Sequence, residues 1–203
     1  MSIDPAYLAL IQSDRVSERT RAALLARAEP DNPGYAPLAL TVAQLSVLRC
    51  VTARILPQPI AGAIDLAARI DAALASGPGD GWRFNDLPAD TAATRAGLDL
   101  LEHAAAGSGG FAALNGPAQD ALLQQLGDGA LAGALDATQQ RHWFEDIRAE
   151  AVRHYVAHPQ TLAGMGYSGI GYGGDTPRLP GFVALEPGER EPWEPLTETG
   201  STP

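Results

Sequence analysis

Glu150, His154 and His158 recur every four residues along EAVRHYVAH, so a helix there would set all three on one face. A histidine pair at that spacing is how a helix offers two imidazoles to one metal ion. The glutamate, however, stands outside an H-E-x-x-H arrangement, and no third cluster of ligands accompanies the pair. The pattern reads as a polar helix face. Asp146 and Glu150 are spaced as paired carboxylates, but Arg141, Arg148 and Arg153 are interleaved with them, which makes a charged, solvated surface. Ser168 lies in G-Y-S-G-I-G and not in the G-x-S-x-G of a strand-to-helix nucleophile elbow. No catalytic residue, cofactor-binding residue or metal ligand is expected in this chain.

Residues 164–174, GMGYSGIGYGG, begin with G-x-G-x-x-G, the loop that cradles a dinucleotide's phosphates where a buried strand turns into a helix. Here the preceding segment is a helix ending at His158-Pro159. The following one, GIGYGGDTPRLPG, is too rich in glycine and proline for a helix of normal length. The glycines are better explained by positive φ and close backbone approach, with Tyr167, Ile170 and Tyr172 supplying what is buried. That is the composition of a docking strap.

The elements that must position these residues are helical. Asp4-Pro5 reads as an N-cap with proline in the first turn, and Ser17 caps a second helix to about Ala28. Pro30, Pro33 and Pro37 hold an irregular connection. Thr41 and Gln44 form a capping box for a third helix, with Leu45, Leu48, Val51 or Thr52, and Ile55 on one face and Pro57 after its end. A fourth helix is expected from about Ala63 to Ala75, and residues 77–88 are a loop. A fifth is expected to be capped by Asp90 and to run to Ala106, and a sixth to start at Asn115 with Leu122, Leu123 and Leu126 inward. The last opens at Asp136 and Gln139, carries Trp143, Phe144, Ile147, Ala151 and Tyr155 at spacings of three or four, and is expected to stop at Pro159. Strand alternation is lacking, so the fold class is all-α: a multi-helix, bundle-like domain of about seven helices.

After Pro159 the composition changes. Residues 159–203 hold 9 Gly and 7 Pro in 45 positions, beyond the share at which disorder is the default, yet Tyr167, Tyr172, Phe182 and Trp193 also lie there. Such a segment has no core of its own, so its rings must fold back on the helices or press into another protein. The expected organisation is a helical domain over 1–158 and an extended docking segment over 159–203. The expected partner-binding residues are Trp143, Tyr155, Gly166, Tyr167, Gly169, Ile170, Gly171, Tyr172, Gly174, Phe182 and Trp193.

Composition narrows the partner. The net charge is −10, and the 14 basic residues, all arginine, are scattered among acids, which argues against nucleic acid or an anionic membrane as the main partner. Cys50 is the single cysteine, which excludes an internal disulfide and points to a packed thiol among the apolar residues of LSVLRCVTARIL. No apolar run approaches the length of a membrane span, and no basic-then-apolar leader or twin-arginine pair is visible. The chain alone is expected in the cytoplasm, and in the periplasm only if a partner carries an export signal.

The run LNGPAQDALLQQL, then RHWFEDIRAEAVRHYVAHPQ, then GYSGIGYGG, resembles the gluconate 2-dehydrogenase subunit 3 family. Gly166, Tyr167, Ile170, Gly171, Tyr172 and Gly174 match its G-W-x-x-I-G-[YF]-x-G motif, with Tyr167 where tryptophan is usual. LTVAQLSVLRCVTARILPQ and AIDLAARIDAAL resemble its early helices, so the similarity covers most of 38–174. QTLAGM replaces the family's glycine-glycine-asparagine segment, and the twin-arginine signal of many members is missing. The resemblance implies a non-catalytic small subunit that binds, stabilises and helps mature a large FAD-containing subunit of the glucose-methanol-choline type. Such complexes oxidise sugars, sugar acids or polyols, in some cases with a cytochrome c subunit as acceptor. FAD would then reside in the partner. The residues leave two alternatives open: a stand-alone helical binding or scaffold protein, and a small enzyme using the histidine face.

Overall fold

A computed structural model describes residues 3–59, 62–77, 83–175, 183–184 and 186–196. Among them there are eight α-helices and no strand: α1 (Pro5–Gln12), α2 (Glu18–Arg27), α3 (Val42–Ile55), α4 (Leu66–Ser76), α5 (Asp90–Ala104), α6 (Gly116–Asp128), α7 (Ala137–Val156) and α8 (Pro159–Gly164). No helix among them is long and apolar enough to cross a membrane. The all-α expectation holds, with one helix more than the sequence suggested.

Most helix starts follow from local chemistry. The Asp4 carboxylate accepts from the amides of Ala6 and Tyr7, Ser17 from Thr20, and Asn115 from Ala118, each satisfying donors that a helix start leaves open. Thr41 and Gln44 complete both halves of their capping box. Asp136 and Gln139 do the same, with Asp136 accepting from Thr138 and Gln139 amides and the Gln139 side chain accepting from Asp136 N.

Three expectations need correction. The fourth helix starts at Leu66, three residues later than expected, because the Asp65 carboxylate caps it through the Ala68 amide. Asp90 is not a cap: Ala89 occupies that position without a side-chain bond, and Asp90 is the first helical residue, 3.9 Å from the Arg83 guanidinium. Pro159 does not open an extended tail. It is the first residue of α8, whose N-cap is His158, with Nδ1 accepting from Gln160 N. Proline suits a first turn because its missing N–H would have no helical partner there.

The chain divides into two compact units, residues 1–30 with 155–203, and residues 31–154. The division expected at 158/159 is therefore replaced by one in which both ends of the chain belong together.

The 31–154 unit has a core built from α3 to α7, centred on Leu48, Val51, Ile70, Leu98, Leu101 and Trp143. Leu45, Leu48, Val51 and Thr52 are the buried stripe of α3, as their spacing requires. Trp143 is 1% exposed, and its indole lies where a Cβ on Gly97 of α5 would stand, so the absent side chain is what admits the ring. Cys50 packs partly buried against this core, and burial pushes its thiol up, away from the reactive thiolate. Asp71, fully buried on α4, accepts from Leu38 N (2.6 Å), Leu40 N (2.7 Å), Ala39 N (3.1 Å) and Tyr35 Oη (2.6 Å), which fastens the proline-rich connection to α4.

The 1–30/155–203 unit has a smaller core of Tyr7, Leu10, Ile11, Val16, Leu24 and Ala163, with Ile3, Leu162, Ile170 and Trp193 packed partly buried against it. The segment after α8 thus contributes to a core with α1 and α2.

Candidate partner-binding surface

The strap, residues 165–175, is fastened at successive points to α1, to Arg15 in the turn that follows it, and to the start of α2. The Tyr7 hydroxyl donates to the Tyr167 carbonyl at 2.8 Å. Burial and then the neighbouring Tyr167 phenol push the Tyr7 phenol up, so it remains the neutral donor. Arg15 donates from its guanidinium to Gly171 O at 3.4 Å, and its carbonyl accepts from Gly173 N (3.1 Å) and from Gly174 N. Asp175 accepts from Glu18 N at 2.9 Å, at the start of α2.

Two glycines make this course possible. Gly174 has φ +63°, and a Cβ there would fall on the Asp14 carbonyl oxygen. Gly171 is buried with the six-membered ring of Trp193 and a Leu10 methyl so close that a Cβ would stand 2.6 Å and 2.9 Å from them. Trp193 is itself held by Arg15, whose guanidinium lies 4.4 Å from the ring centroid in a cation–π contact.

The apolar side chains of the C-terminal segment go two ways. Trp193 and Ile170 turn onto the unit's own core. Tyr167 and Tyr172 point outward, 52% and 50% exposed, with Met165 beside them in sequence at 56%. Of the three residues expected to be buried against a partner, Tyr167 and Tyr172 are half-exposed, while Ile170 is partly buried against the unit's own core.

Of the other expected partner-binding residues, Tyr155 is partly buried in the last turn of α7, Gly166 is exposed at φ +64°, and Gly169 opens a short 3-10 turn. Trp143 is corrected: enclosed in the core of the 31–154 unit, it has no surface to offer. Phe182 lies outside the described residues. Tyr7 and Arg15, which organise the strap, were not foreseen. They precede it by more than 150 residues, and no local periodicity links the two regions.

The chemistry-bearing residues are otherwise engaged. Ser168 donates to Glu194 at 2.6 Å. Glu150 pairs with Arg153 and stands 3.7 Å from His154 Nε2, while His158 caps α8. The three residues thus do not share one helical face, because α7 ends at Val156. No group of three or more His, Cys, Asp or Glu side chains among the described residues is arranged to hold a metal ion. The G-x-G-x-x-G run starts at the end of the six-residue α8, where no strand precedes it, so the phosphate loop's geometry is absent there.

None of the curated proteins or solved structures compared with the chain matches it. The family model for gluconate 2-dehydrogenase subunit 3 matches residues 43–174, from the first turn of α3 to the glycine that locks the strap. That span is well over half of the chain, and its end coincides with the Gly174–Arg15 anchor. The protein belongs to the gluconate 2-dehydrogenase subunit 3 family.

Proposed function

We propose that this chain is the non-catalytic small subunit of a dehydrogenase complex, and that it binds, stabilises and helps mature a large FAD-containing subunit of the glucose-methanol-choline type. The family's name supports a subunit role in a dehydrogenase. The observation that carries the docking role is the strap itself. Its main chain is fixed by bonds to Tyr7 and Arg15, and the Asp175 carboxylate holds its end to the Glu18 amide, while the rings of Tyr167 and Tyr172 are left half-exposed. A single exposed ring is ordinary on a protein surface. Two rings five residues apart on an immobilised backbone form a pre-organised anchor, because little conformational freedom is left to lose on binding. Fully burying each ring would contribute roughly 1.5–3 kcal/mol. Large, permanent subunit interfaces bury more than about 2,000 Å² in total, so these rings would be the centre of a wider contact. The complex oxidises a sugar, glycoside or polyol, with FAD and substrate both held by the large subunit.

The test is affinity capture from cells co-expressing the tagged chain with a candidate glucose-methanol-choline-type flavoprotein from the same genome. A flavin-bearing large chain should elute at a fixed ratio, and its soluble, flavin-loaded yield should fall when the small chain is omitted. A large subunit that is soluble, flavin-loaded and active without this chain, and never elutes with it, would overturn the proposal.

A further inference from the structure

A cavity of about 300 Å³ lies inside the 31–154 unit, between the C-terminal half of α4, the first turns of α5 and the second half of α7. That is the lower end of the range for small-molecule sites. Ile70 of α4 and Ile147 of α7, each 2% exposed, form its floor together with the partly buried Leu74.

One polar group opens on this apolar space. Thr94 of α5 lines the cavity at 5% exposure, and its hydroxyl bonds to no described residue. Thr52 of α3, buried to the same degree, donates back to the Leu48 carbonyl at 3.0 Å, the usual way a helical threonine satisfies its oxygen. The Thr94 oxygen is not sealed inside the protein either, so it is the cavity that it meets. An interior hydroxyl without a bond is costly, and a ligand oxygen that reached it would restore that bond.

The charges at the rim select against an ion. Arg83 faces Asp90 at 3.9 Å, Arg153 donates to Glu150 at 3.0 Å, and Asp146 is engaged as well. Two guanidiniums against three carboxylates repel an anion. A cation would find those carboxylates occupied and would meet the start of α5, where Ala89 supplies no side-chain cap and the positive end of the helix dipole is left open. The fitting occupant is therefore uncharged. In so small a space a single ring offers the most apolar contact with the least freedom to lose.

We infer that this cavity is a binding site for a small, uncharged, phenol-class molecule, whose ring lies on Ile70, Leu74 and Ile147 and whose hydroxyl bonds the hydroxyl of Thr94. The inference stands apart from the subunit role proposed above, which neither requires nor excludes such a site.

The test titrates the full-length chain with phenol and follows its isoleucine methyl groups by NMR. Ile70 and Ile147 should shift saturably, and Ile11 in the other unit should not. Benzoate and benzylamine should leave Ile70 and Ile147 unmoved at concentrations where phenol saturates. Thr94→Val keeps the shape and removes the oxygen, so phenol should bind about fivefold to tenfold more weakly, while toluene, which has no oxygen to lose a bond, should bind no more weakly than to the wild type. Ala73→Phe, on the α4 wall, fills the space and should abolish binding of both. Circular dichroism melts check that the variants fold, and Ala73→Leu is the milder substitution if the larger ring disrupts α4. Absence of saturable shifts at Ile70 and Ile147, or phenol binding that Ala73→Phe leaves intact, would overturn the site. Benzoate or benzylamine binding as tightly as phenol would overturn the uncharged occupant, and equal weakening of phenol and toluene by Thr94→Val would overturn the role of the hydroxyl.

Discussion

The phenol of Tyr7 and the main-chain carbonyl of Tyr167 are joined by a 2.8 Å hydrogen bond across 160 residues of sequence. Tyr7 is fully buried, and the bond fixes the backbone of a residue whose own ring is half-exposed. The interior of the unit thus dictates where an outward ring stands.

Tyr7→Phe keeps the packing and removes the donor. A single bond of this kind contributes about 1 kcal/mol net, so the melting temperature should fall only slightly. Amide hydrogen exchange should rise at 166–174 and stay unchanged in the 31–154 core. Uniform exchange across the chain would show that the bond does not hold the strap.

Gly174→Ala should detach the far end of the strap. The residue sits at φ +63° and its Cβ would meet the Asp14 carbonyl, so strain of about 1–3 kcal/mol adds to a steric overlap that the backbone must relieve. Limited proteolysis should cut near 172–176 in the variant sooner than in the wild type. Gly164→Ala, whose Cβ would meet nothing within 4 Å, is the control and should cut at the wild-type rate.

Gly97→Ala sets two effects against each other. Helix propensity favours alanine by about 1 kcal/mol, whereas overpacking against the Trp143 ring costs about 1–3 kcal/mol. The ring is nearly fully enclosed and cannot swing away, so the overpacking should win. Chemical denaturation should show net destabilisation, and a stabilised variant would contradict the packing described for α5 and α7.

Asp71 gives the 31–154 unit an acid-sensitive joint. Burial pushes its carboxyl up, but the amides of Leu38, Leu40 and Ala39 and the Tyr35 hydroxyl together outweigh that and hold it below the usual carboxylate range. A group whose folded value is depressed contributes stability above its unfolded value and loses it as pH falls through the folded one. Wild-type stability should therefore drop on acidification below the ordinary carboxylate range. Asp71→Asn should be less stable near neutral pH by roughly 2–4 kcal/mol and show a shallower acid dependence. Denaturant titrations at several pH values measure both.

What the sequence revealed was local. Asp4, Ser17, Thr41 with Gln44, Asn115, and Asp136 with Gln139 each act on amides within three residues, so their identity and spacing are enough to locate a helix start. Pro159 misled because proline both follows helix ends and opens new helices, and only His158 capping the next turn decides between them. The grouping of the N-terminal helices with the C-terminal segment left no local trace: Tyr7, Arg15 and Trp193 meet through the fold alone. Trp143 was grouped with the docking aromatics by residue type, and the small residue that encloses it, Gly97, is 46 positions away. The glycines of the strap were legible as sites of positive φ and close approach, as Gly174 and Gly171 show, whereas the entry of Ile170 and Trp193 into a core with α1 and α2 was not.

The grouping also decides how the strap is best probed. Truncation after α7 would remove Ala163, Ile170 and Trp193 from the core that α1 and α2 share, so the N-terminal helices would lose their packing along with the docking surface. Tyr167→Ser with Tyr172→Ser removes only half-exposed rings. Thermal stability of the isolated chain should change by less than about 1 kcal/mol, while affinity for the large subunit should fall at least tenfold.

Hydroxyl-radical footprinting of Tyr167 and Tyr172, in the isolated chain and in its complex with the flavin-bearing large subunit, examines the anchor itself. Both rings should be reactive in the free chain and strongly protected in the complex, while Tyr7 stays unreactive throughout. Equal labelling of Tyr167 and Tyr172 in the two states would mean that no partner covers them, and the docking role of the strap would be wrong.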